Sequence, residues 1–112
     1  MNEQNKEYLD HELLQYAAKA AKYDFIEKRF PLFPSACEFY LRSRHPARTS
    51  DYPTLWNPLT DDGDAFRLAV KCLPFYTLRY SREDWEKCGE DGYAATRRAI
   101  VRAAAEIGGQ MP

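Results

Sequence analysis

Proline placement constrains the middle of this chain more than any other feature of the sequence. Five of the seven prolines lie between residues 31 and 58, and no glycine comes before Gly63. The five are Pro31, Pro34, Pro46, Pro53 and Pro58. Proline lacks a backbone N–H and disfavours the α conformation at the residue before it, so this stretch is not expected to be helical. We therefore expect helices on either side of it, with strands and loops between them.

Length and composition predict one globular domain over residues 1–112. The chain has 112 residues, which suffices for one hydrophobic core and is too short for two. Hydrophobic residues make up 45% and charged residues 29%, an ordinary globular composition. No apolar run approaches the roughly 20 residues that span a bilayer. The N-terminal stretch MNEQNKEYLDHE also lacks the apolar segment of a secretory signal. These features predict a cytoplasmic protein with no membrane association.

The residues that usually carry chemistry form no recognisable set. Cys37, Cys72 and Cys88 are widely spaced and form no CxxC pair, and His11 and His45 are the only histidines. A zinc site is therefore not expected. We expect free thiols in a reducing compartment instead. The sequence contains no nucleophile elbow, P-loop, dinucleotide fingerprint or HExxH motif. We predict no catalytic residues, metal or cofactor, although an enzyme built from scattered residues stays open.

Three segments show the three- and four-residue spacing of amphipathic helices. The first covers residues 10–22, with Asp10 as its predicted N-cap, and the second covers residues 60–73, with Thr60 as its predicted N-cap. The third covers residues 93–107 and is expected to be stopped by Gly108 and Gly109. The predicted apolar face of the second helix comprises Ala65, Phe66, Ala69, Val70 and Leu73.

Strand patterns lie between the helices and complete an α+β fold. Residues 24–30 and 75–80 are rich in strand-forming types, and in residues 37–42 apolar and polar side chains alternate. Residues 43–57 are expected to form a loop, and residues 81–92 an acidic loop with a short structured piece around Trp85. The predicted fold is a small three-layer α/β/α sandwich, with about three helices around a largely antiparallel sheet of three or four strands. Its predicted core includes Leu13, Phe39, Phe66, Val70, Ile100 and Ile107.

Two blocks of sequence carry a resemblance to a known family. They are WNPLTDDGDAFRLAVK at residues 56–71 and AATRRAIVRAAAEIG at residues 94–108. Together with ELLQYAAKAA near the N-terminus, they resemble the phage ABA sandwich domain. The resemblance implies a phage or prophage origin and helices on both faces of a small sheet, and it implies no catalytic residues. The chain departs from the family's pattern between Asp24 and Leu55, where it is long, basic and proline-rich.

The first candidate site surrounds the start of the second helix. Three acidic residues lie here: Asp61, Asp62 and Asp64. They either stabilise the helix N-terminus, form a weak magnesium-binding site or contact a protein. The spacing of these acids does not fit an EF-hand, because no glutamate follows at the twelfth position. Trp56 either anchors the preceding loop to the core or stacks on a ligand, and Asn57 can satisfy turn backbone groups.

The second candidate site consists of two groups of arginines. Arg42, Arg44 and Arg48 accompany His45 in the predicted loop, whereas three more arginines follow helical spacing. These three are Arg97, Arg98 and Arg102. If the two groups met in space, they could hold phosphates or an acidic protein surface. The alternative is a solvated helix face that binds nothing. The net charge of −1 argues against a dedicated nucleic-acid binder.

These observations favour a binding protein over an enzyme. The leading hypothesis is a phage or prophage accessory protein that binds a host or defence protein in the bacterial cytoplasm. One alternative is a small-ligand or nucleotide-binding domain that uses Trp56, Arg97 and the helix start at residues 61–64. Another is a weak nucleic-acid binder that uses the arginines. A monomer is expected, and a homodimer through the alanine-rich last helix is the alternative.

Overall fold

The structure, a computed structural model, describes residues 9–30, 32–42, 54–73, 82–89 and 91–112. These residues contain four helices and three strands. Their order is α1 (Asp10–Ala20), β1 (Phe25–Phe30), β2 (Phe33–Leu41), β3 (Thr54–Trp56), α2 (Asp62–Cys72), α3 (Arg82–Lys87) and α4 (Gly92–Gly109). The α+β class is confirmed, with a short fourth helix at the predicted structured piece around Trp85. The predicted strand at residues 75–80 and residues 43–53 of the predicted loop lie outside the described residues.

The three strands form an antiparallel sheet in the order β1-β2-β3, consistent with a small α/β sandwich. Phe39 of β2 lies opposite Glu27 of β1 on one side and Trp56 of β3 on the other. Phe39 and Leu41 are buried, so the predicted alternation along this strand is confirmed. Strand β3 was predicted as the end of a loop, and that prediction is wrong. Three residues are too few to show a period-2 pattern.

Helix α4 is the centre of the helical part, because α1, α2 and α3 all pack against it. Its buried residues therefore lie on more than one face, and most are small: Ala95, Ala99, Val101, Ala104, Ala105 and Gly108. This arrangement gives an intramolecular reason for the alanine-rich faces that suggested a homodimer. The oligomeric state itself stays a prediction. Ile100 and Ile107 were predicted as core residues, but they are only partly buried.

The buried face of α2 differs from the predicted one by about one residue. Phe66 and Val70 were predicted as core, but they are 70% and 59% exposed. Asp64 and Leu68 face the interior instead, together with Ala65, which was predicted on the buried face. One residue is about 100° of rotation around a helix. The prediction failed because it assigned the Asp64 carboxylate to solvent, whereas the fold buries it with hydrogen-bond partners.

The ends of the helices also correct the predicted caps. Leu9, not Asp10, is the N-cap of α1, and its N–H donates to Oε1 of Glu12 at 3.0 Å. Lys22 has a φ of 59°, and this left-handed residue turns the chain out of α1. In α2 the N-cap is Asp61, not Thr60, since Asp61 Oδ2 accepts the N–H of Asp64 at 2.8 Å. These differences are small displacements of correctly predicted helices.

Helix α4 continues through Gly108 to Gly109, two residues beyond the predicted end at Ile107. Gly108 is buried, and its backbone lies close against the backbone of α1. A Cβ placed on it would lie 1.8 Å from the carbonyl oxygen of Tyr16 and 3.2 Å from the amide nitrogen of Ala20. Only glycine lets the two backbones approach this closely.

Cys37 is a partly buried free thiol on the core-facing side of β2. Its Sγ–H donates to Oε1 of Glu27 at 3.4 Å. Burial, followed by this hydrogen bond and the negative charge of Glu27, raises the pKa of the Cys37 thiol from 9.0 to about 11. The group is therefore a neutral, structural thiol at physiological pH.

We expect Cys37 to be alkylated by iodoacetamide at pH 8 at least about tenfold more slowly in the folded than in the urea-unfolded protein, because the thiolate is the nucleophile. The rate should rise with pH toward a midpoint near 11. Glu27→Gln should lower that midpoint, since it removes the negative charge that opposes ionisation. Peptide mass spectrometry after timed quenching measures the rate at Cys37. Equal rates in the folded and unfolded protein at pH 8 would contradict the prediction.

Candidate functional site

The segment from Trp56 to Asp64 forms the turn between β3 and α2. The side-chain oxygen of Asn57 accepts the N–H of Leu59 at 3.0 Å. The carbonyl oxygen of Asn57 accepts the N–H groups of Thr60 and Asp61, at 3.1 and 2.9 Å. Asn57 therefore shapes the turn, as its position before a proline indicated.

Asp64 is a buried carboxylate that joins this turn to α2. Its Oδ2 accepts the backbone N–H of Asn57 at 3.0 Å, and its Oδ1 accepts a hydrogen bond from Arg67 at 2.9 Å. Asp61 caps the helix and Asp62 pairs with an arginine of α4, so the three acids serve three different partners. Within the described residues, no group of three or more His, Cys, Asp or Glu residues could hold a metal ion.

Trp56 lies in the core, with 2% of its surface exposed. Its ring meets the ring of Tyr23 edge-on, at 5.7 Å between centroids and 77° between planes. Tyr23 in turn lies beneath the ammonium group of Lys71, which is 4.5 Å from its ring centroid. The geometry is that of an anchor that fixes the turn to the sheet, and the indole has no face open to a ligand.

The three arginines of α4 each bond to an acidic residue of a different helix. This corrects the interpretation of these arginines as a solvated helix face, because the side chains of all three are largely covered. The partners belong to α2, α1 and α3 in turn: Arg97 with Asp62 at 2.6 Å, Arg98 with Asp10 at 3.0 Å, and Arg102 with Asp84 at 2.8 Å. Arg97 also donates from Nε to the carbonyl oxygen of Leu59 at 2.9 Å. These arginines fasten the helices of this protein to one another.

The other group of candidate arginines, in the predicted basic loop, is only partly described. Arg42 lies 3.6 Å from Asp24 in an exposed ion pair. Arg44 and Arg48 lie outside the described residues, as does His45. The hypothesis that the basic loop meets the arginines of α4 therefore stays untested.

We expect Asp84→Ala to lower the free energy of unfolding by roughly 1–3 kcal/mol, because it leaves the partly buried Arg102 without this carboxylate. The matched variant Asp10→Ala removes an exposed partner from Arg98 and should cost only about 0.2–1 kcal/mol. Urea unfolding followed by circular dichroism measures both. The prediction is wrong if the two variants lose the same stability.

A groove between α2 and α4 is the feature that the sequence analysis missed. It encloses about 780 Å³. Its lining includes small residues, among them Ala65, Ala69 and Gly92. Phe66 and Tyr93 stand at its sides, and they are 70% and 75% exposed. One sequence signal could have revealed it: α2 has more apolar positions than a single face can bury. We call this feature the α2–α4 groove.

The polar groups of the α2–α4 groove are engaged within the fold. Asp62 pairs with Arg97, and Asp91 caps α4 by accepting the N–H of Tyr93 at 2.9 Å. The hydroxyl of Thr96 donates to the carbonyl oxygen of Gly92 at 2.7 Å. The groove therefore offers an apolar surface with fixed charges at its margin. It does not present the paired nucleophile and base that covalent catalysis uses.

A second, smaller cavity of about 470 Å³ lies between the end of α1 and the start of β1. It is lined by Tyr16, Lys19 and Tyr23, together with neighbouring residues. The ammonium group of Lys19 donates to the carbonyl oxygen of Met111 at 2.9 Å, so this side chain holds the last residues against α1.

Comparison with known proteins adds no relative: no family model, curated protein or solved structure matches this chain. The resemblance to the phage ABA sandwich domain thus stays a prediction from residues 56–71 and 94–108. Among the described helices, none is long and apolar enough to cross a membrane.

Proposed function

We propose that this protein acts by binding another protein at the α2–α4 groove, without chemistry of its own. The exposure of Phe66 and Tyr93 on either side of an apolar cleft carries the proposal. Large apolar side chains that cluster at a surface mark interaction sites more often than isolated ones do. Val70, one turn after Phe66 on α2, is also exposed and extends the apolar surface along the helix.

The openness of the groove favours a protein over a small ligand. Small-molecule sites usually bury about 70–90% of the ligand surface. Here the groove is open to solvent along one side, so a small molecule lying in it would stay exposed on that side. A protein segment can cover the rings of Phe66 and Tyr93 at once, as in complexes that place an amphipathic helix in a groove.

The alternative binding functions draw on residues that serve the fold. A nucleotide site would use Trp56, which is buried, and Arg97, which bonds to Asp62 and Leu59. A nucleic-acid surface would use Arg98 and Arg102, and both are paired with acids of this chain. No geometric observation among the described residues favours these functions over protein binding.

The origin and target of the protein are also part of the proposal. The blocks at residues 56–71 and 94–108 resemble a phage domain, which supports a phage or prophage protein acting in the cytoplasm of a bacterial host. The corresponding partner is a host protein or a protein of a host defence system. The first block contributes one wall of the groove and the second contributes part of the other.

Quantitative pull-down from a bacterial host lysate tests the proposal. Wild-type protein should retain a partner that Phe66→Asp loses by about tenfold or more, because a carboxylate would be placed in the apolar contact. Leu32→Asp is the matched control, since Leu32 is an exposed leucine in the β1–β2 turn. Both variants should fold like the wild type, within about 0.5 kcal/mol. Retention of every partner by Phe66→Asp, or repeated failure of the wild type to retain any, would refute the proposal.

A further inference from the structure

The exposed charge in the lining of the α2–α4 groove is negative. Asp62 and Asp91 both line it, and the Asp62 side chain is 73% exposed. Arg97 is the cation of the groove lining, but its side chain is only 18% exposed and is bonded to Asp62 and to the carbonyl oxygen of Leu59. An incoming partner therefore meets carboxylates before it meets the guanidinium.

The helix N-termini do not reverse this sign at the groove. An uncapped N-terminus attracts anions through its free N–H groups. Asp61 accepts the N–H of Asp64, and Asp91 accepts the N–H groups of Tyr93 and Ala94. Because carboxylates of this chain already occupy these positions, an anionic partner would be repelled by them.

This charge pattern selects among the possible occupants. A second copy packed by its own groove would offer Asp62 and Asp91 only the cation of its own groove lining, Arg97, which is already bonded within the fold. A basic partner gains attraction at the same positions. The occupant that fits is apolar where it meets Phe66 and Tyr93, and cationic where it meets the margin.

We infer that the α2–α4 groove binds a basic amphipathic helix of a partner protein. This inference rests on the proposed binding function of the groove and adds the chemistry of the partner. The apolar side chains of such a helix recur every three or four residues and lie between Phe66 and Tyr93. Its lysines or arginines flank that stripe and face Asp62 and Asp91.

Selection from a displayed library of random peptides tests the inference. Binders are selected on the wild-type protein and then sorted by their dependence on Phe66, with Phe66→Asp as the counter-selection target. The Phe66-dependent binders should have apolar residues at helical spacing and an excess of Lys and Arg over Asp and Glu. If they are neutral or acidic, the inference fails while groove binding stands. If none depends on Phe66, the groove does not bind peptides and both proposals fail.

The strongest basic peptide then tests the role of the carboxylates directly. Asp91→Asn removes the charge and keeps the cap, because Asn is as good an N-cap as Asp. It should weaken binding by about two- to fivefold at low salt, as measured by fluorescence anisotropy. Asp24→Asn is the control, since Asp24 is exposed and lines the other cavity. Equal affinities for wild type, Asp91→Asn and Asp24→Asn would overturn the inference.

Discussion

Replacing Gly108 with Ala is expected to destabilise the protein by about 3 kcal/mol, the upper end of the usual cost of overpacking, because a clash with backbone cannot be relieved by a change of rotamer. The new Cβ would lie 1.8 Å from the carbonyl oxygen of Tyr16 and 2.7 Å from its carbonyl carbon. Helices α1 and α4 would have to separate, and this would loosen the packing around Leu13 and Ala17. Urea unfolding followed by circular dichroism measures the loss.

Gly92→Ala is the matched control for this prediction, because it adds the same methyl group to the same helix. Its Cβ would meet only a ring carbon of Trp85, at an ordinary distance of 3.8 Å. Its stability should be unchanged or slightly higher, because Ala is the better helix former. Equal unfolding midpoints for Gly108→Ala and Gly92→Ala would show that α1 and α4 do not cross as described.

Trp56→Ala is expected to cost about 3–5 kcal/mol, the range for removing a large aromatic side chain from a core. The indole is 2% exposed, lies opposite Phe39 across the sheet and meets the ring of Tyr23. The resulting cavity would lie beneath the end of β3 and the turn that follows it. The turn would then no longer be packed against the core, and the start of α2 would be less well held.

The second tryptophan of the chain supplies the comparison. Trp85 is 44% exposed, and Trp85→Ala should cost much less than Trp56→Ala. Thermal unfolding followed by far-ultraviolet circular dichroism measures both without relying on tryptophan fluorescence. Equal melting temperatures for the Trp56→Ala and Trp85→Ala variants would contradict the anchoring role of Trp56.

The sequence predicted the elements of the fold better than their orientation. The alternation around Phe39 and the spacing in α1 and α4 led to the correct classes, because period is a local property of the chain. The rotation of α2 was not predictable in this way. It depends on where the carboxylate of Asp64 finds donors, and one of these is the backbone N–H of Asn57, seven residues earlier in the chain.

The candidate site shows the same limit. Arg97, Arg98 and Arg102 have the spacing of a surface row, but the fold surrounds α4 with three acidic partners from three helices. Which side of a helix meets other helices is a tertiary property. The α2–α4 groove was missed for the same reason, since Phe66 was assigned to a core that the rotation of α2 excludes it from.

The bonds of Arg97 also have a consequence for what the α2–α4 groove can admit. This one side chain spans from α4 to Asp62 at the start of α2 and to Leu59 in the turn before it. It therefore ties the two walls of the groove together. A partner that needed a wider cleft would have to break both bonds at once. We therefore expect the groove to bind partners whose side chains fit its present width and to exclude partners with bulkier side chains.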